Sequence, residues 1–174
     1  MMILLTGGSA CGKSSYGESL CLRFSEPRYY IAAMRPYGEG SHEKIQRHRS
    51  LRRGKGFETI ERYTDLAGLT LPRKGVALLE CICNLTANEM FDESGKITDP
   101  TAAVLSGTDS LRKQCSTLIV VTNDVGSDSK SYDPDTKAYI RALGKINAAL
   151  AQKADVVCEL VCGIPLLLEG EMEL

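Results

Sequence analysis

Met2-Ile3-Leu4-Leu5-Thr6 is an apolar run closed by a threonine, and it passes without a break into Gly7-Gly8-Ser9-Ala10-Cys11-Gly12-Lys13-Ser14. Ser14 to Phe24, directly after, has helical composition. A buried strand, a glycine-rich turn and a helix in that order leave few folds open. The turn satisfies the pattern G-x-x-x-x-G-K-S/T in full. Its glycines let consecutive backbone N–H groups point inward around a phosphate, and the helix N-terminus adds partial positive charge. In such a loop Lys13 reaches the β and γ phosphates and the Ser14 hydroxyl ligates Mg²⁺. An incidental Lys-Ser after a tight turn is the alternative, and the strand before and helix behind argue against it.

The rest of the chain keeps the alternation. Arg28 to Ala33, Phe57 to Glu61, Gly75 to Cys81, Ser116 to Thr122 and Asp155 to Val161 read as strands. The third and fourth are continuous apolar runs, the mark of strands covered on both faces. Glu43 to Arg53, Pro100 to Lys113 and Asp135 to Lys153 read as helices, and Phe91 to Thr98 and Gly126 to Pro134 as surface loops. This pattern predicts an α/β fold of the P-loop NTPase type, RecA-like, with a mostly parallel sheet and helices on both faces. The 174 residues fit one domain, Met1 to Leu174.

A net charge of −1 gives no global field for nucleic acid, so none is expected as a partner. No apolar run is long enough to span a bilayer, and the opening lacks the basic segment of a signal peptide; a cytoplasmic protein is expected. Seven cysteines occur, at 11, 21, 81, 83, 115, 158 and 162, without a C-x-x-C pair and with only two histidines. That argues against zinc and for free thiols, mostly core residues with Cys11 the exception.

Two further sites carry candidate chemistry. Glu80 closes the run Val76-Ala77-Leu78-Leu79. A carboxylate at the end of a strand beside the phosphate-loop strand sits where such sites hold the metal, and a solvent-facing strand end is the bland account. Lys44-Ile45-Gln46-Arg47-His48-Arg49-Ser50-Leu51-Arg52-Arg53 concentrates positive charge, with Lys44, His48 and Arg52 on one helical face. Cations around His48 favour its neutral form, leaving a ring nitrogen as a potential nucleophile. From the residues alone, a solvated charged face or an RNA-binding patch stays open, although the run lacks aromatics for base stacking.

Together these residues resemble the bifunctional adenosylcobinamide kinase/adenosylcobinamide-phosphate guanylyltransferase family. The likeness runs from Met1 to about Pro165. It takes in MILLTGGSACGKS, YYIAA, KIQRHRSLRRGKGFETIE, LLECICNLTAN, VVTNDVG, and LGKINAALAQKAD followed by GIPL. The resemblance implies two reactions: phosphoryl transfer from ATP or GTP to the aminopropanol hydroxyl of adenosylcobinamide, then attack of His48 on the α-phosphorus of GTP. The GMP-histidine would pass its GMP to adenosylcobinamide phosphate. Lys13 and His48 would be catalytic. Gly7, Gly8, Ser9, Ala10, Cys11, Gly12, Lys13, Ser14, Ala32, Ala33, Met34, Arg49, Ser50, Leu51, Arg52, Glu61 and Glu80 would contact GTP, with Mg²⁺ on Ser14 and Glu80. A homo-oligomer, a trimer, is also implied. Departures from the family pattern are Phe57 for tryptophan, Asp124 for glutamate, Lys137 for arginine, Glu39-Gly40-Ser41 before Ile45, and the loop Ser127 to Pro134. An enzyme retaining one activity, or a binding module without turnover, are the other readings.

Overall fold

Six strands pair in parallel and a seventh closes one edge antiparallel. The computed structural model describes every residue except 26, 37–38, 93, 95, 127–130 and 173–174, and the side chains of 39–42, 44, 47 and 51. The strands are β1 Met2–Thr6, β2 Arg28–Ala32, β3 Phe57–Glu61, β4 Val76–Glu80, β5 Thr117–Val121, β6 Val156–Val161 and β7 Ile164–Glu169, in the order β3-β2-β4-β5-β1-β6-β7. The helices are α1 Lys13–Cys21, α2 Glu39–Arg52, α3 Ile82–Met90, α4 Thr101–Gln114 and α5 Pro134–Lys153. A one-turn 3-10 helix, Leu66–Gly68, packs on α4.

The central strands β1, β4 and β5 are buried almost throughout, as their unbroken apolar runs require. Side chains alternate across a strand, and the pairing register carries one face across the whole sheet. Leu5, Val121, Glu80, Ala32 and Glu61 lie in one row, and Ile3, Ile119, Leu78, Tyr30 and Thr59 in the next, all on the same face. Helix α1 lies on this face. It comes close because residue 17 is glycine: a Cβ there would meet Leu78 Cδ1 at 2.8 Å and Leu5 Cδ1 at 3.3 Å. Helices α3, α4 and α5 pack against one another, with α4 on β5 and α5 on β1.

Several boundaries and one neighbour relation differ from the expectation. Helix α2 begins at Glu39, ahead of Glu43, and α1 ends at Cys21, ahead of Phe24. Helix α3 was not foreseen; it follows β4 with only Cys81 between, leaving no loop to mark its start. Strand β6 is not the last. Cys162 (φ 51°) and Gly163 (φ 82°) make a two-residue left-handed turn, the geometry that joins twisted antiparallel strands, and β7 follows. Cys-Gly is not the usual Asn-Gly signal, and Cys162 is exposed at the turn instead of buried in the core. Strand β4 is not beside β1 either, since β5 lies between them. Most of the loop Gly126 to Pro134 falls at 127–130, outside the described residues.

The tight seat at Gly17 gives the first prediction. Gly17→Val should destabilise the fold by about 1–3 kcal/mol, because the branched side chain overpacks Leu78 and Leu5. Urea unfolding checks this; an unchanged midpoint would mean that α1 is not seated on the sheet there.

Candidate functional site

The turn between β1 and α1 holds its shape through glycines and its own lysine. Gly7 has φ +130°, and a Cβ on it would sit 2.5 Å from the Leu160 carbonyl oxygen of β6. Only glycine fits that approach. Gly12, at φ +100°, is the N-cap of α1, whose first turn has no side-chain cap and no acidic residue. The N–H groups at this helix start are therefore not spent on a carboxylate or hydroxyl from the cap. Lys13 is only 5% exposed, and its Nζ donates to the carbonyls of Gly7 (2.9 Å) and Gly8 (2.5 Å), with Cys11 Sγ at 3.4 Å. The amide of Asp124, just past β5, donates to Gly7 O (3.3 Å), and that of Gly163 to Cys11 O (3.0 Å). Neighbouring strand ends on both sides thus brace the loop.

Immediately after Lys13, Ser14 Oγ donates to Glu80 Oε1 across the width of β5. Helix α1 makes this reach possible, because it lies over both β5 and β4. Glu80 Oε2 is buried and has no hydrogen-bond partner among the described residues. Burial is the main cause that pushes the Glu80 carboxyl up to about 7; Glu18 adds to it, while Ser14, Lys13 and Arg52 pull the other way. Glu18, 1% exposed on α1, is paired with Lys55 Nζ at 2.7 Å. Two hard oxygen donors side by side, one a buried carboxylate oxygen not yet engaged, fit Mg²⁺ in donor type.

Glu80 also lines an open pocket of about 410 Å³, with Tyr30, Ala32, Met34, Ile45, His48, Arg49, Arg52, Thr59 and Glu61. The strand residues are those of the α1 face, and α2 supplies Ile45, His48, Arg49 and Arg52. Arg49 pairs with Glu61 at 2.7 Å, and Tyr63 Oη donates to the other Glu61 oxygen at 2.7 Å. The Tyr63 bond and then Arg49 hold the Glu61 carboxyl below its usual range. Both partners are about half exposed, so this pair orients more than it stabilises.

Seven of the expected site residues thus surround one cavity: Ala32, Met34, His48, Arg49, Arg52, Glu61 and Glu80. The loop residues Gly7 to Ser14 stand outside it and join through the Ser14–Glu80 contact. Ala33 is buried beneath, its amide donating to Glu80 O at 2.8 Å and its carbonyl accepting from Asn88 Nδ2 at 2.8 Å. Ser50 is exposed and not part of the cavity wall, and the Leu51 and Lys44 side chains lie outside the described residues. Tyr30, Ile45 and Thr59 of the cavity wall were missed, as was Asn88, which holds the Ala33 carbonyl behind it. For Tyr30 and Thr59 the signal existed, since they lie two residues before Ala32 and Glu61, but no strand register was known. Asn88 could not be reached, because α3 was not recognised.

A phosphate loop on a parallel sheet, a buried carboxylate against its serine, and a basic helix across the cavity define a P-loop nucleotide-binding protein. Solved structures with this fold include the PH0250 protein of Pyrococcus horikoshii (TM-score 0.58, 7% identity, 99% of this chain and 87% of that one). Another is an ATPase of a bacterial type III secretion system (TM-score 0.53, 13% identity, 92% and 52%). Among curated proteins, the bifunctional adenosylcobalamin biosynthesis protein CobU of Escherichia coli K12 is 30% identical, over 94% of this chain and 97% of its own length. The CobP protein of Pseudomonas aeruginosa is 26% identical over 98% and 99%. The sequence profile of the cobinamide kinase/cobinamide phosphate guanyltransferase family matches residues 3–168, and the chain belongs to that family.

The unusual state of Glu80 is open to measurement. Its folded-state pKa of about 7 lies above the ordinary 4.5, so the folded protein binds the extra proton between those values. The stability it contributes is present below about 4.5 and is lost as pH rises towards 7. Glu80→Gln should remove that decline in metal-free buffer and leave the neutral-pH melting temperature unchanged or higher. Thermal melts of both proteins from pH 4.5 to 7.5 check this; parallel curves would show that Glu80 is not held in a desolvated site.

Proposed function

We propose that the protein is an adenosylcobinamide kinase and adenosylcobinamide-phosphate guanylyltransferase, using ATP or GTP in the first reaction and GTP in the second. One observation carries the reading: Glu80 touches the phosphate loop through Ser14 and also lines the cavity that holds His48. The phosphate loop and the histidine therefore belong to one continuous site. The curated relatives of similar length are named for the same pair of activities.

In the kinase step Lys13 gives up its bonds to the Gly7 and Gly8 carbonyls and takes phosphate oxygens, while the α1 N-terminus faces the same charge. The acceptor hydroxyl attacks the γ-phosphorus, and the bond to the diphosphate breaks. Ser14 and Glu80 would hold Mg²⁺, which supplies positive charge to the phosphate chain when bound. In the second step a ring nitrogen of His48 attacks the α-phosphorus of GTP. The N–P bond forms as the bond to pyrophosphate breaks. A phosphate oxygen of adenosylcobinamide phosphate then displaces the histidine, giving the GDP-linked corrinoid and free His48. Arg49 and Arg52, one beside His48 and one a turn further, receive the phosphate oxygens in this step.

A cytoplasmic homo-oligomer, a trimer, acting on small molecules and not on nucleic acid completes the reading. No described helix is long and apolar enough to cross a membrane. The edge hairpin leaves Val161, Ile164, Leu166, Leu167 and Leu168 exposed, which favours a second copy of the chain covering it.

Incubation with Mg·GTP followed by intact-mass measurement tests the assignment. The expected result is one added GMP, absent in His48→Ala. That variant should still phosphorylate adenosylcobinamide, whereas Lys13→Ala should lose both reactions by on the order of 10²-fold or more. Folded protein that gains no GMP overturns the guanylyltransferase half.

A further inference from the structure

Arg52 ends α2 and is only 7% exposed. Its guanidinium carbon lies 3.4 Å from the centroid of the Tyr30 ring, so the cation is stacked on the aromatic face. Nε and Nη1 are both buried and make no hydrogen bond among the described residues. Burying two unmet donors of a permanent cation is costly, and structures keep such an arrangement where a ligand completes it. Stacking engages the flat face of a guanidinium and leaves its N–H groups, which lie in the plane, directed outward at the edge. Arg52 and Tyr30 both line the cavity that holds His48. The acceptor suited to an arginine edge in such a place is a phosphate oxygen.

We propose that Tyr30 is a positioning residue for the nucleotide: its ring holds the Arg52 guanidinium so that Nε and Nη1 meet phosphate oxygens in the His48 cavity. This inference rests on the proposed function and adds a residue that never touches the substrate phosphate itself. The sheet register supports it. Tyr30 lies on the α1 face between Thr59 and Leu78, fixed by strands on both sides, so the plate under Arg52 cannot tilt with the helix. Arg49 is tied to Glu61 on β3. The two cavity arginines that follow the histidine are thus seated on the sheet by different means, one by an ion pair and one by an aromatic ring.

The test compares Tyr30→Phe and Tyr30→Leu, each alone and in an Arg52→Met background, by Mg·GTP affinity and by the rate of GMP addition to His48. Tyr30→Leu should weaken GTP binding by about tenfold, and Tyr30→Phe should recover most of that loss, since the ring and not the hydroxyl carries the stacking. With Met at position 52 the Tyr30→Leu effect should fall below about twofold, because the pair is already broken. Tyr30→Met is measured alongside as a flexible core filler in case the leucine variant does not fold. A Tyr30 loss of equal size in both backgrounds means a structural role only and overturns the inference. Absence of GMP addition in the unsubstituted protein would instead refute the function on which it rests, so the two failures are distinguishable.

Discussion

The bond from Ser14 to Glu80 connects two halves of this molecule that neither the chain nor the sheet joins directly. Sixty-odd residues and an intervening strand separate them. They meet because α1 crosses from β1 over β5 to β4, and it can cross so closely because Gly17 has no side chain to hold it off Leu78 and Leu5. Remove that approach and the phosphate loop would still form, but its serine would face no carboxylate. The cavity under α2 would then have no link to the phosphate loop.

Around that contact the structure gathers charges that are poorly compensated. Lys13, Glu18, Arg52 and the inner oxygen of Glu80 are all buried, and of these Glu18 alone has an ion pair among the described residues. Such a grouping is unfavourable for folding, since Glu18, Arg52 and Glu80 each bury side-chain atoms that have no hydrogen-bond partner among the described residues. The apolar strands β1, β4 and β5 supply the burial that tolerates it. What is a defect for stability is a preorganised field for a polyanion, with buried Lys13 and Arg52 and the amides at the start of α1.

Much of this was legible in the sequence, for identifiable physical reasons. The strand–loop–helix opening is a local motif in which each residue has a fixed backbone duty, so Gly7 to Ser14 could be read from order alone. Glu80 was legible as a charge ending an apolar run, although the reason given for it, adjacency to β1, fails because β5 intervenes. Apolar patterning did not separate Tyr30 from Tyr29; only the two-residue spacing to Ala32 did, once the strand was known. Both are buried and adjacent, and the register shows that Tyr30 faces α1 while Tyr29 points the other way, its hydroxyl donating to Arg73 O. A strand covered on both faces erases the alternation that would have told them apart. Strand β7 was hidden for a different reason, a turn whose left-handed cysteine carries no sequence signal.

The same register sets His48, which is carried by a helix, against surroundings carried by strands. Tyr30, Glu61 and Glu80 are fixed within a hydrogen-bonded sheet, so their spacing is set by strand separation and does not vary. His48 instead lies beside Arg49 and one turn before Arg52, and each of those arginines rests on one of the sheet residues. The seat of α2 over the cavity is therefore held by two side-chain contacts to the sheet, Arg49 on Glu61 and Arg52 on Tyr30. How far His48 stands from the phosphate loop then depends on how the helix sits on Tyr30 and Glu61. A single sheet face thus carries both the carboxylate that meets the phosphate loop and the two seats of the helix that bears His48.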